Sequence, residues 1–308
     1  MMPRLLLCGP VLFVVSITAS GAAAGSAAAA PAHDVAFWRG IKANDFAVPE
    51  GMAPGALLLE VCDLLGSPDP ELRDQLGYEI ADAWILRKRT VGDADLRPVL
   101  ARLQRNLGEG IGENGTDSVL RRSFSALVLS LVAARDNDAP FLTAEEFDGL
   151  LSAALDYLTR ERDERGFVPG KGWHHSVAHT ADLLKAIGRS PRLAPAAQRR
   201  ILAGVVLKTG ASQTFWTWGE DDRLAAAVLA IVKRDDFDAT TLDGWLDRFI
   251  AAWRSGLQDP AALDPARFAA AKNGRNVLTA LEVQIGTSAP FAAAEKTRKA
   301  LLMTLRRM

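Results

Sequence analysis

The sequence predicts an all-α protein, a HEAT-like α-solenoid or an irregular array of antiparallel helical hairpins. Three observations carry this expectation. Apolar residues recur every three or four positions along most of the chain, the period of one helix face. Helix-start residues (Thr, Asp, Pro) and helix-stop glycines punctuate it at short intervals. Alternating polar and apolar runs, which would mark strands, are scarce.

The elements follow in order. Met1 to Arg4 carries one positive charge, Leu5 to Ile17 is apolar, and small residues run on to Pro31 and Ala32. This is the layout of a secretory signal peptide over residues 1–32, with cleavage expected after Ala24 or Ala32. The apolar run is too short to span a bilayer. A single helical-repeat domain is expected over 33–308. It opens with a short helix, "DVAFWRGIKA", and a loop. In "PDPELRDQLGYEIADAWILRKR", Asp69 is placed to cap and Pro70 to occupy the first helical position, with Leu72, Leu76, Ile80 and Trp84 on one face. Helices follow from about Thr116 and from Thr143, where Thr143 and Glu146 form a capping box. "APAAQRRILAGVVLKTG", "GEDDRLAAAVLAIVKR", "TLDGWLDRFIAAWRSG" and "DPARFAAAKNGRNVLTALEVQIG" repeat the same grammar, for about a dozen helices in all. Helical hairpins in series suggest a solenoid, with a closed helical toroid as the rival.

Composition removes several function classes. The net charge is −1, so no basic field points to nucleic acid. Once the leader is removed, Cys62 is the only cysteine and no disulfide can form within the chain. Phosphate-binding glycine loops, paired-cysteine zinc motifs, EF-hand loops and dinucleotide fingerprints are absent, as is a G-x-S-x-G elbow.

One stretch stands out. The chain has four histidines, and His174, His175 and His179 fall within "GKGWHHSVAHTADLLKA". A helix is expected from near Trp173 to Ile187. On it, His175, His179 and Asp182 fall within a wedge of roughly 60°. Val177, Ala181, Leu184 and Ile187, joined by Trp173, take the opposite, apolar side. Two imidazoles one turn apart with a carboxylate three residues on could hold a divalent metal, or Asp182 could orient His179. The alternatives are a non-metal binding or catalytic site, and a solvated or merely hydrogen-bonded face.

Other polar groups are candidates. In "TFWTWGEDDRL", Thr217 and Glu220 suit a capping box and the acids suit a helix N-terminus. The functional reading has Trp216 and Trp218 walling a pocket floored by Asp221 and Arg223. Glu79 and Asp82 are neighbours on a polar helix side. Ser123 and Ser125, in mid-helix, read as small packing residues. The charges of "YLTRERDERGF" read as a solvated helix end.

The run "YLTRERDERGFVPGKGWHHSVAHTADLLKA", with "RRSFSALVLSL" before it and "GEDDRLA" after it, resembles the bacterial domain of unknown function 2785 family. The similarity extends from about Leu57 to near the C-terminus. It implies a helical fold and a site at Arg165, Gly166, Lys171, Gly172, Trp173, His175, His179, Asp182, Glu220, Asp221 and Arg223. It implies no reaction, and the leader departs from the family's usual form. The expected function is therefore an exported, periplasmic or secreted, binding module. Its concave site would use Lys171, Trp173, His175, His179, Asp182, Glu220, Asp221, Arg223, Glu79 and Asp82 to take a protein or a small polar ligand. The alternative is a hydrolase-type enzyme, in which His175 and His179 hold a metal or act as acid and base.

Overall fold

The computed structural model describes residues 33–257 and 263–308; the leader expected over 1–32 lies outside them. The described residues hold twelve helices and one small β-hairpin. The first helices are α1 (Val35–Ala43), α2 (Pro54–Leu64), α3 (71–87) and α4 (Asp93–Asn106). Then come α5 (Ser118–Asp138) and α6 (Ala144–Arg160), followed by the strands β1 (Phe167–Val168) and β2 (Gly172–Trp173). The rest are α7 (Ser176–Gly188), α8 (Pro195–Ala211), α9 (Glu220–Val232), α10 (Thr241–Gly256), α11 (Pro265–Thr287) and α12 (Ala294–Leu305). The protein is thus all-α apart from two short strands.

Local chemistry sets many boundaries. The Thr143–Glu146 capping box forms, each side chain meeting the other's backbone N–H. Asp69 accepts from the Glu71 N–H at 2.9 Å, as a capping side chain should. Helix α3 departs from the expected period: it is π-helical over Glu71–Tyr78 and Ala83–Arg87 and α-helical only over Glu79–Asp82. The wider turns still bury Leu76, Ile80 and Trp84, so an apolar stripe alone does not distinguish the two windings.

The helices pack in two rows. Helices α2, α4, α5, α7, α9 and α11 each touch the next in that order, and α6, α8, α10 and α12 do the same behind them. Helix α3 lies against α2 and α5. Buried apolar side chains run without interruption from Trp38 to Leu301; their removal from water is the main driving force for the fold. Cys62 lies within this core, where burial pushes its thiol up to about 12 and leaves it unreactive.

Helix α7 is central, between α5 and α9 and against α6. Every residue in it except Lys185 is buried. Neighbouring helices pack against both its sides, and His175, His179 and Asp182 keep 8%, 6% and 7% exposure. The boundary moves. Trp173 belongs to β2, and the helix begins at Ser176 with His175 as its capping residue. Trp173 is therefore not on the helix's apolar face; it is 38% exposed. Among the described residues no helix is long and apolar enough to cross a membrane.

Candidate functional site

The loop from Glu161 to His175 delivers the site, and buried polar groups hold it in place. Strands β1 and β2 pair antiparallel, Phe167 with Trp173 and Val168 with Gly172. The ladder is extended by the His174 N–H donating to the Gly166 carbonyl (2.8 Å) and the His175 N–H to that of Arg165 (3.0 Å). Gly172 turns with φ +76°, and a Cβ there would lie 3.0 Å from the Arg73 guanidinium. Arg73, fully buried, donates to the Lys171 carbonyl at 2.8 Å and stacks over the Phe124 ring at 4.8 Å. Glu161 and Asp163 are buried too, contrary to the solvated helix end expected of this run. Glu161 receives the buried Arg122 at 2.6 Å, and Asp163 binds Arg165 and the Gly115 N–H. Arg160 and Arg162 do stay exposed, but Glu161 and Asp163 turn inward into buried pairs, which need mutual satisfaction to exist.

His175 leaves this hairpin with left-handed backbone angles, φ 45° and ψ 36°. Few residues other than glycine adopt them, histidine being among the more tolerant. The twist swings the chain from β2 into α7 and lays the His175 ring on Trp173, with centroids 4.3 Å apart and planes 25° apart. Its Nε2 lies 3.2 Å from the Trp218 carbonyl, to which it donates, so Nδ1 is the unprotonated nitrogen. Glu220 approaches the same Nε2 at 3.9 Å, beyond hydrogen-bonding range. Burial, reinforced by the Arg223 charge, lowers the His175 pKa to about 4, so the ring is neutral at pH 7 and the contact is not an ion pair. Burial also raises the Glu220 pKa.

His179 lies one turn further on, its ring edge-on to His175 at 5.6 Å and to Phe124 at 4.9 Å. Its Nδ1 is 2.8 Å from the Ser123 hydroxyl, and that hydroxyl also contacts the His174 carbonyl. The carbonyl can only accept, so Ser123 donates its single proton there and accepts from His179. This assigns the proton of His179 to Nδ1 and leaves Nε2 as a bare lone pair, for which no described residue supplies a donor. Burial, then the neighbouring His175 and Arg223, hold its pKa well below the ordinary histidine range.

Asp182 completes the cluster. Lys185 donates to its Oδ1 at 2.8 Å, and Arg223, from α9, bonds its Oδ2. Tyr78 lies beside this pair; burial and the charges of Asp82 and Asp182 raise its phenol pKa.

The structure thus brings together His175, His179, Asp182, Glu220 and Arg223, with Trp173 stacked on the rim. It sends other candidates elsewhere. Glu79 pairs with Lys42 at 2.9 Å and Asp82 with Arg87 at 2.5 Å. Lys171 points its ammonium at Asp117, 2.7 Å away. Asp221 accepts from the backbone of Asp222. His174 is buried, with Nδ1 3.4 Å from the Gly172 carbonyl.

Two readings are corrected. His175, His179 and Asp182 do not assemble as a metal triad: both Asp182 oxygens are held by cations and the His175 Nε2 faces a carbonyl. Among the described residues no group of three or more His, Cys, Asp or Glu side chains is placed to hold a metal ion. Nor do Trp216 and Trp218 wall one pocket together. Trp216 is buried, its N–H on Asn273, while Glu220 caps backward onto the Trp218 N–H in place of a Thr217 box, with Gly219 as the N-cap. Trp218 instead lines a recess of about 420 Å³ with Phe167, Phe215, Glu164 and Glu220.

Ser123 went unrecognised because nothing in its local sequence separates it from a packing serine. Its partner lies 56 residues away.

The protein is thus an all-α array of stacked helices with a cluster of buried polar side chains, His175, His179, Asp182 and Glu220, near its centre. It belongs to the family described as Protein of unknown function (DUF2785), which it matches over residues 107–283, a narrower span than the resemblance from Leu57 onward implied. That span contains α5 to α9 and therefore nearly every residue of the cluster. No curated protein and no solved structure matches the chain.

Proposed function

We propose that the protein is a binding module, a HEAT-like α-solenoid of one domain over 33–308, that receives a small polar ligand at the His175–His179–Arg223 cluster. The observation that carries this is the Ser123 relay. It holds a buried, neutral imidazole in one tautomer and presents the His179 Nε2 lone pair with no described residue donating to it. That atom is not a buried acceptor left without a partner: solvent reaches it, so a ligand N–H or O–H can take the place of water there. The Asp182–Arg223 pair beside it supplies complementary charge, and the Trp173–His175 stack supplies an apolar edge.

The same geometry serves an acid–base enzyme less well. A general base works best with a pKa near the working pH, and His179 is held well below that. Binding is therefore the reading we adopt, with acid–base chemistry as the second, favoured only by the fixed tautomer.

The test is chemical-shift mapping of ¹⁵N-labelled imidazoles with a fragment panel of small alcohols, amides and carboxylates. Hits that move His179 Nε2 and vanish in His179→Ala are expected. A panel that leaves this nitrogen untouched, in a protein with the assigned tautomer, overturns the proposal. The leader read in residues 1–32 supports a periplasmic or secreted location for this binding, and N-terminal sequencing of native protein should find a start between Gly25 and His33.

A further inference from the structure

Four large aromatic side chains are substantially exposed among the described residues: Phe167, Trp173, Phe215 and Trp218. All four lie on two loops, 161–175 and 211–219, and three of them line the same recess. Exposure of one aromatic is ordinary; gathering three of the four around one cavity is how binding surfaces are marked. The recess, at about 420 Å³, is of small-molecule size.

The aromatic wall is held rigidly. Trp218 lies so close over Gly166 that a Cβ there would come within 2.1 Å of the indole Cδ1. Its ring also meets Trp173 edge-on at 5.7 Å and Phe167 at 6.0 Å. Behind it, the buried pair of Lys208 and Glu164, 2.7 Å apart, fixes the floor. Glu164 further accepts from Ser212 at 2.7 Å.

The polar lining is mixed. It offers the amides of Asn114 and Gln213, the hydroxyls of Thr214 and Thr217, the carboxylates of Glu164 and Glu220, and the guanidinium groups of Arg162 and Arg165. A phosphate-bearing ligand would want a single-sign cationic site or a free helix N-terminus. Here the N-terminus of α9 is already met by its own acids: Asp221 accepts from the Asp222 N–H at 3.0 Å. A lipid would want no polar groups. A pyranose ring has an apolar C–H face for an indole, and hydroxyls at its edge that both donate and accept, as this lining requires.

We infer that the recess walled by Phe167, Phe215 and Trp218 is a saccharide seat. It deepens the proposed binding function by naming the ligand class, and it adjoins the histidine cluster through Trp218 and Glu220, so a sugar seated there extends toward His175. The experiment is a tryptophan-fluorescence and calorimetric titration of the full chain with cellohexaose, chitohexaose and tetragalacturonate, with AMP as a competing probe. At least one oligosaccharide should bind and shift the emission. Loss of one stacking partner is worth up to about tenfold in affinity, so Trp218→Ala and Phe215→Ala should each weaken binding by about that factor. Phe215 is exposed, so its variant keeps the fold even if Trp218→Ala loosens the loop. Binding of AMP in preference, no oligosaccharide binding at millimolar concentration, or binding indifferent to both variants overturns the inference. Failure of the histidine reading would look different: the sugar would still bind, and His179→Ala would not alter it.

Discussion

The Nδ1 of His179 lies 2.8 Å from the hydroxyl oxygen of Ser123, across the packed interface of α7 and α5. Because that hydroxyl also bonds the His174 carbonyl, three groups, from α5, α7 and the link that precedes α7, share one directional chain. Ser123→Ala removes the middle link and strands a buried N–H. The expected cost is about 1–3 kcal/mol, read by urea denaturation. Imidazole ¹⁵N spectra should show a single Nδ1–H tautomer of His179 in the parent and a mixture in the variant; the same single tautomer in both would disprove the relay.

Stability should depend on pH through His175. Its pKa is lowered from 6.5 to about 4, so between those values the unfolded chain binds more protons than the folded one. The stabilisation tied to the neutral ring is complete above about pH 6.5 and is lost as pH falls toward 4. His179, Asp182, Glu220 and Arg223 face the same space, so the comparison must isolate His175. Relative to His175→Gln, the parent should lose about 3 kcal/mol more between pH 7 and 4. Parallel curves for the two proteins would reject the shift.

The left-handed backbone at position 175 makes a separate prediction. Alanine is strained there and glycine is not. His175→Gly and His175→Ala lose the same ring contacts, so their difference reports the backbone alone. Glycine should be the more stable by about 1 kcal/mol, measured by thermal melts. The reverse order would mean that β2 does not enter α7 through this turn.

Gly166 is required by the indole of Trp218. A methyl group 2.1 Å from Cδ1 cannot be accommodated without moving the ring. Gly166→Ala should cost about 1–3 kcal/mol and red-shift tryptophan emission as Trp218 turns outward. Unchanged emission, with unchanged stability, would show that the ring does not rest on this glycine.

Much of the architecture was legible in the chain. Helical periods, the Thr143–Glu146 box and the Asp69 cap mark elements that form, because capping and amphipathic spacing are local and act within one turn. The concentration of histidines marked the segment that packs between α5 and α9. The side-chain directions did not follow from it, since Trp173 to Ile187 is not one helix: β2 and a left-handed His175 interrupt it. The same limit explains the acidic and basic run at 160–165, where local charge alternation suggested solvent and long-range pairing with Arg122, Gly115 and Lys208 produced burial.

By itself the sequence determined the helical class and the presence of His175, His179, Asp182, Glu220 and Arg223 near one another in the chain's second half. Only the tertiary structure decided what these groups do. The tautomer of His179 depends on Ser123, the occupation of Asp182 depends on Arg223, and the exposure of Trp218 against the burial of Trp216 depends on Asn273. Each is a hydrogen bond between groups 41 to 57 residues apart. Propensity and spacing act over a few residues, whereas protonation, pairing and burial are properties of the packed interior and are set by whichever helix arrives alongside.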